Sequence, residues 1–367
     1  MMGIELWTGL LGSVFVVILG GVFWMLPVWS RPELFFAVTV PVNDSTRGPR
    51  AAVLGRFRRR VATVSAAALT GSLALVGAGQ APLVHLAMMG QLAGLFWAFL
   101  AARAAVLPLQ VEPTGVREAI LKPREMKLPG GIIGQAGPFL ILGGLMVALA
   151  MAWDTLPARF VTHWNAAGEP DGWSTRSIVA VFGLPATGLS TVALMPILSW
   201  GLLHWARRVD IGGAAGEAET ARRHAVAVAL LGVSYFIALV FFPLGFMPLI
   251  RGPHEQRVFV GTTVAVAMLG ALGLTTFLLA YLIPRFQTRQ RAATAASPGE
   301  PPIGDRTSDR HWKLGLIYYN PGDPAVFLEK RFGLGYTLNF ARPAAWLLLM
   351  GAVGLPLALT LAMMLLG

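Results

Sequence analysis

Apolar residues gather along this chain into long unbroken runs; they do not alternate with polar ones. Eight runs reach or approach the roughly 20 residues a helix needs to cross a hydrocarbon core. They are residues 6–28, 61–79, 83–107, 137–153, 178–205, 226–250, 258–283 and 344–366. A transmembrane barrel would show alternation instead. The predicted fold is therefore all-α and integral to a membrane, with about eight transmembrane helices. Only Gln80, Ala81 and Pro82 separate the second run from the third, which predicts a tight helical hairpin. The fourth run is the shortest.

Composition strengthens this reading. Of 367 residues, 55% are hydrophobic and 13% charged, against about 25% charged in soluble domains. The basic residues test the topology. If the N-terminus lies outside, all of the 29 Lys and Arg except Arg159, Arg176, Arg251 and Arg257 fall in cytoplasmic segments, as the positive-inside rule requires. Both termini are then expected outside. The N-terminus lacks a basic leader region, so the first run is read as an anchor and not as a cleaved signal. Arg outnumbers Lys, and the expected location is a bacterial inner (plasma) membrane. The net charge of +11 is explained by this bias and by contact with the lipid bilayer, including the Arg56–Arg60 run. No soluble basic module is present, so no nucleic-acid partner is expected. The chain has no cysteine, which excludes disulfides and thiolate chemistry.

No Asp, Glu, Lys or Arg lies near the middle of any run, and His85 sits near an outer end. Ion-coupled carriers generally place such groups at the midplane, so that class loses support. Gln91 and the Gly143–Gly144 pair read as helix packing. No phosphate loop, dinucleotide fingerprint or nucleophile elbow is present, and no cofactor is expected.

Polar residues concentrate in two places. The first is the outer segment 156–177, Leu-Pro-Ala-Arg-Phe-Val-Thr-His-Trp-Asn-Ala-Ala-Gly-Glu-Pro-Asp-Gly-Trp-Ser-Thr-Arg-Ser. Residues 166–172 carry turn chemistry. On an extended approach His163 and Asn165 share a side, and the turn can bring Asp171 or Glu169 back to them. One reading is a compact loop with Trp164 and Trp173 at the interface. The other is an outward binding site of His163, Asn165, Glu169 and Asp171, with a metal neither indicated nor excluded by the spacing.

This string resembles the signature of the domain of unknown function 1648: Leu-Pro, then His-aromatic-Asn, then Gly-x-x-Asp-Gly. By that resemblance His163, Asn165, Gly168 and Asp171 fall on signature positions. The resemblance implies a bacterial multi-pass membrane protein, with relatives that include the Sdp toxin immunity protein. It supplies positions more than a mechanism.

The second place lies before the last run. Residues 290–308, rich in Ala, Pro, Gly and Ser, read as a flexible linker. In residues 312–319, Trp312, Leu314, Leu316 and Tyr318 alternate with Lys313, Gly315, Ile317 and Tyr319. A turn at residues 320–324 follows, then a strand at 326–330 and a further turn between Gly333 and Gly335. The prediction is a small β-hairpin element in the last cytoplasmic loop. The strings Trp-Lys-Leu-Gly-Leu-Ile-Tyr-Tyr-Asn-Pro-Gly-Asp-Pro, Glu-Lys-Arg-Phe-Gly and Thr-Leu-Asn-Phe-Ala-Arg-Pro resemble a second bacterial domain, that of unknown function 5808. The segment reads either as an amphipathic clamp on the membrane surface, anchored by Trp312, Tyr318, Tyr319 and Tyr336, or as a docking surface. For the second, Trp312, Asn320, Asp323, Lys330, Arg331 and Asn339 are the candidate contacts.

The expected organisation is a three-helix region at 1–135 and a region at 136–205 carrying the outer motif. A two-helix region at 206–288, a linker at 289–308, the cytoplasmic segment at 309–343 and the last helix at 344–367 complete it. The function expected is non-catalytic: a sensor, immunity or signal-relay protein that meets an extracellular peptide or small molecule outside and a protein partner inside. A permease for a neutral or amphipathic solute, and an enzyme with a His/Asp site on the outer face, remain the alternatives.

Overall fold

The structure is a computed structural model and describes residues 2–113, 127–164, 170–206, 214–295, 305 and 307–366. Among the described residues, eight helical segments are long and apolar enough to cross a membrane. The chain is thus a multi-pass membrane protein.

The helices are α1 (Met2–Trp29), α2 (Asp44–Gly77), α3 (Val84–Val106), α4 (Gly131–Met151), α5 (Ile178–Trp205), α6 (Ala214–Phe246) and α7 (Pro253–Ala295). The last span is α8 (Pro343–Leu349) and α9 (Leu355–Leu366), joined by a π-helical turn. Helices α1, α2 and α3 pack on one another, and so do α4, α5 and α6, with α9 against α5. Helix α7 lies against both α6 and α1 and bridges the two groups. The tight α2–α3 hairpin is present, its link tightened by a 3₁₀ turn at Ala81–Leu83.

Several helix boundaries differ from the sequence reading; α6, for one, begins at Ala214 and not at residue 226. Helix α2 begins well before the apolar run, because Asn43 and Thr46 form a capping box that starts it on the polar side. The Arg56–Arg60 run is therefore helical, with the Arg58 and Arg60 guanidiniums over the Trp24 and Trp97 rings. Helix α4 starts six residues early, at Gly131. Helix α7 runs on through Ala295 into the expected linker, whose Ala, Arg and Gln residues are good helix formers.

Two-stranded antiparallel hairpins cap the bundle. Between α1 and α2 lie β1 (Leu34–Phe35) and β2 (Val38–Thr39). Between α4 and α5 lie β3 (Arg159–Trp164) and β4 (Pro170–Thr175). Between α7 and α8 lie two more, β5 (Trp312–Lys313) with β6 (Ile317–Tyr318), and β7 (Phe327–Glu329) with β8 (Tyr336–Leu338). The expected long strand at 312–319 does not form. Leu314 and Gly315 both have positive φ and fold it back on itself. The strand at 327–329 pairs instead across the Gly333–Gly335 turn. Since the spans alternate, the β3–β4 hairpin lies at one end of the bundle. The other three hairpins lie at the opposite, basic end.

Candidate functional site

At the hairpin end, β3 and β4 are rooted where α4 leaves and α5 enters the bundle. Phe160 and Val161 are buried, and Phe160 packs with Leu145, Leu149, Leu156 and Val181. Arg176 Nη1 donates to the Trp153 and Leu156 carbonyls at 2.8 and 3.0 Å and closes the base. The Ser177 hydroxyl accepts from the Ala180 N–H at 3.1 Å and starts α5.

On this base His163 meets Asp171, one of the two carboxylates that the turn could bring back. His163 Nδ1 lies 2.5 Å from Asp171 Oδ1, with side chains 69% and 43% exposed. Gly172 sits directly across from His163. A Cβ there would come within 2.6 Å of the His163 Cβ, so the glycine makes the approach of the strands possible. The carboxylate places the ring proton on Nδ1 and leaves Nε2 to an incoming group. Beside the pair, the Arg159 guanidinium lies 5.2 Å over the exposed Trp173 ring. Asn165 and Glu169 lie outside the described residues. β3 also lies against α7, the helix that carries His254 and Glu255. Among the described residues, however, no group of three or more His, Asp or Glu is placed to hold a metal.

At the basic end, the candidate contacts Trp312, Asp323, Arg331 and Asn339 face inward. Arg331 is fully buried. Its Nε and Nη2 donate to the two carboxylate oxygens of Asp305 at 3.1 and 2.7 Å, and its Nη1 donates to Asp309. Its guanidinium lies 4.9 Å over the Trp312 ring, which is itself buried. Burial pushes the Asp305 carboxyl up, but the Arg331 charge and hydrogen bonds, Arg31 and Thr307 hold it below the usual carboxylate range. Burial alone would lower Arg331. The two carboxylates instead hold it above its ordinary value.

Asn339 is also fully buried. Its Nδ2 donates to the carbonyls of Asn320 and Asp323, each at 3.0 Å, and its Oδ1 accepts from the Asn320 and Ala341 N–H groups. Asp323 accepts from the Tyr318 hydroxyl at 3.0 Å. Trp312 and Tyr318 are thus core residues of this element and not interfacial anchors. Of the candidate contacts, Lys330 stays exposed and Asn320 is half-buried.

Sequence reasoning missed what this element docks on. The Thr39 hydroxyl and N–H donate to Asp309 at 2.7 and 3.1 Å. Arg31 Nη2 donates to Glu329 at 3.0 Å, and the Gly333 N–H donates to the Ser30 hydroxyl at 2.8 Å. Phe332 packs on Phe36 and Phe99, with ring centroids 5.7 and 4.5 Å away. The Glu-Lys-Arg-Phe-Gly string is therefore a key fitted to the first loop. Phe36 and Ala37 hold positive φ at the β1–β2 turn, a conformation L-residues resist. Arg103 Nη1 steadies it by donating to the Phe36 and Ala37 carbonyls. The available signal was an apolar stretch, residues 34–38, inside an otherwise basic loop.

A second set of charges joins α6. Buried Arg223 pairs with Glu219, and buried Arg222 lies 4.0 Å from Glu329. Burial, with Glu329 nearby, pushes the Tyr336 hydroxyl up to about 12, against the opposing effect of Arg223 and Arg222.

Residues 139–189 match the model of the domain of unknown function DUF1648. Residues 321–346 match the model of a family of unknown function, DUF5808. The chain carries both domains. The DUF1648 match spans most of α4, the whole β3–β4 hairpin and the first part of α5. The DUF5808 match spans the β7–β8 hairpin and enters α8. Neither the curated proteins nor the solved structures compared with the chain gave a match.

The two domains meet through α5. Two residues separate this helix from β4, and it ends at Trp205, whose carbonyl accepts from the Val326 N–H at 3.2 Å. Ala206 then bridges Phe327. A Cβ on Gly201 would lie 2.9 Å from the Phe327 ring, so that glycine lets β7 seat on the helix.

Proposed function

We propose that the chain is a non-catalytic receptor of the bacterial inner membrane, with an Sdp-immunity-like sensing or relay role. The β3–β4 hairpin faces outside and meets a peptide or small molecule through His163, Asp171 and Trp173. The basic end faces the cytoplasm and both termini lie outside, in keeping with the charge bias of the loops. The element at residues 305–340 is the output that a cytoplasmic partner reads.

The observation that carries this reading is the continuity of α5. One 28-residue helix, about 42 Å long at 1.5 Å per residue, leads from the His163–Asp171 pair to the Val326–Phe327 contact. Pro185 and Pro196 lie inside this helix, and each removes one backbone hydrogen bond, so a tilt or shift forced at one end travels to the other as movement of packed helical segments about those points.

The test is a challenge of cells expressing the chain with a panel of membrane-active peptides. Protection by the wild-type protein, lost in His163→Ala and Asp171→Ala at unchanged protein level, is expected. Equal protection by both variants and by the double variant removes the site. A companion measurement is hydrogen exchange in nanodiscs with the protective peptide. Slower exchange is expected at both the hairpin and residues 326–339, and a change confined to the hairpin removes the relay.

A further inference from the structure

The basic end carries an exposed apolar stripe. The β5–β6 hairpin alternates strictly: Trp312 and Tyr318 pair across it and point inward, while Lys313 and Ile317 pair on the opposite face. The outward side shows Leu314, Ile317 and Tyr319 at 55%, 45% and 48% exposure, beside exposed Arg310 and Lys313. Leu314 is held at φ 51°, a costly conformation for a branched side chain, with its apolar group turned out.

The position of the hairpin identifies what covers it. Its tip rests on the end of a membrane span: a Cβ on Gly315 would meet Arg103 Nη1 and the Ala37 Cβ at 2.7 Å, and Arg103 lies in the last turn of α3. The neighbouring chain enters α8 with Trp346, 52% exposed, a residue type that collects at the headgroup level. An outward apolar stripe flanked by cations, at the depth where the helices leave the hydrocarbon, matches an anionic headgroup layer above acyl chains.

We propose that the outward face of the β5–β6 hairpin is a lipid-binding surface: Leu314, Ile317 and Tyr319 enter the interface of the surrounding bilayer, and Arg310 and Lys313 hold anionic headgroups. This anchors the element at residues 305–340 to the membrane beside its contacts with Arg31–Thr39. The inference does not depend on which end of the protein is cytoplasmic.

The absence of native cysteine makes the test direct. Ile317→Cys, and separately Ser45→Cys as an exposed reference at the start of α2, are labelled with an environment-sensitive fluorophore. Each protein is placed in phosphatidylglycerol or phosphatidylcholine nanodiscs containing a spin-labelled lipid quencher. Lipid quenching at 317 but not at 45, stronger in phosphatidylglycerol, is expected. The double charge reversal Arg310→Glu and Lys313→Glu should weaken that anionic preference by roughly fivefold for each cation removed. Quenching at 317 by aqueous iodide as strong as at 45, with none from lipid, overturns the proposal. Protection from both quenchers also overturns it, since a protein surface would then cover the stripe.

Discussion

The two ends of this molecule use the same chemical pairing, a basic side chain against a carboxylate, to opposite effect. At the hairpin end His163 and Asp171 stand in water, braced by backbone. At the basic end Arg331 is withdrawn completely, and Asp305 and Asp309 nearly so. An exposed pair contributes little to stability and leaves polar atoms for a ligand. A buried pair tolerates no missing partner, because the remaining charge has neither water nor counter-ion. The exposed pair is therefore the place to look for recognition, and the buried cluster is what joins the two ends of the chain.

The largest effect that tests this contrast is expected from Arg331→Ala. It leaves Asp305 and Asp309 buried without their guanidinium, at a cost of about 3–5 kcal/mol. Thermal unfolding in detergent should show a loss of that order. Arg331→Lys should recover only part of it, since an ammonium cannot span both oxygens of Asp305 and still reach Asp309. Recovery of full stability by Lys would mean that fork geometry is unimportant here.

Next comes Gly172→Ala, which forces a methyl group against His163 and should cost about 1–3 kcal/mol as local overpacking. Its signature is faster hydrogen exchange in β3 and β4 with the basic end unchanged.

A smaller effect is expected at high pH. Tyr336 keeps its proton in the folded state up to about 12, whereas an unfolded tyrosine loses it at about 10. The folded chain then binds more protons between these values. The stability from Tyr336 is complete below the lower value and is lost as pH rises towards the upper one. Tyr336→Phe should flatten this alkaline decline in melting temperature.

The smallest stability change belongs to His163→Ala, at roughly 0–1 kcal/mol. A melting temperature near wild type together with lost protection against peptide would sharpen the contrast. A large destabilisation would break it.

The hairpin pair was legible because its residues are eight apart and joined by a turn of recognisable chemistry. The span count was legible because hydropathy over some 20 residues is a local property. The start of α2 was hidden because residues 44–60, ahead of the apolar run, carry six arginines, although Asn43 and Thr46 announced it. The buried cluster was hidden for another reason. Arg31 and Glu329 lie 298 residues apart, and Asp305 falls in a stretch whose composition reads as linker. Nothing in the spacing of Asp305, Asp309 and Arg331 says that they converge.

By itself, then, the sequence determined a membrane protein of eight spans, a sidedness of charge and a His163–Asp171 turn. Each rests on interactions between near neighbours or between a segment and its solvent. Only the tertiary structure decided that Trp312, Asp323, Arg331 and Asn339 face inward, that Phe332 enters the Phe36–Phe99 cluster, and that α5 links the two domains. Those outcomes depend on which distant surfaces share a low-dielectric interior. There an unpaired charge is too costly to leave, so each buried group must find its partner wherever the fold has placed it.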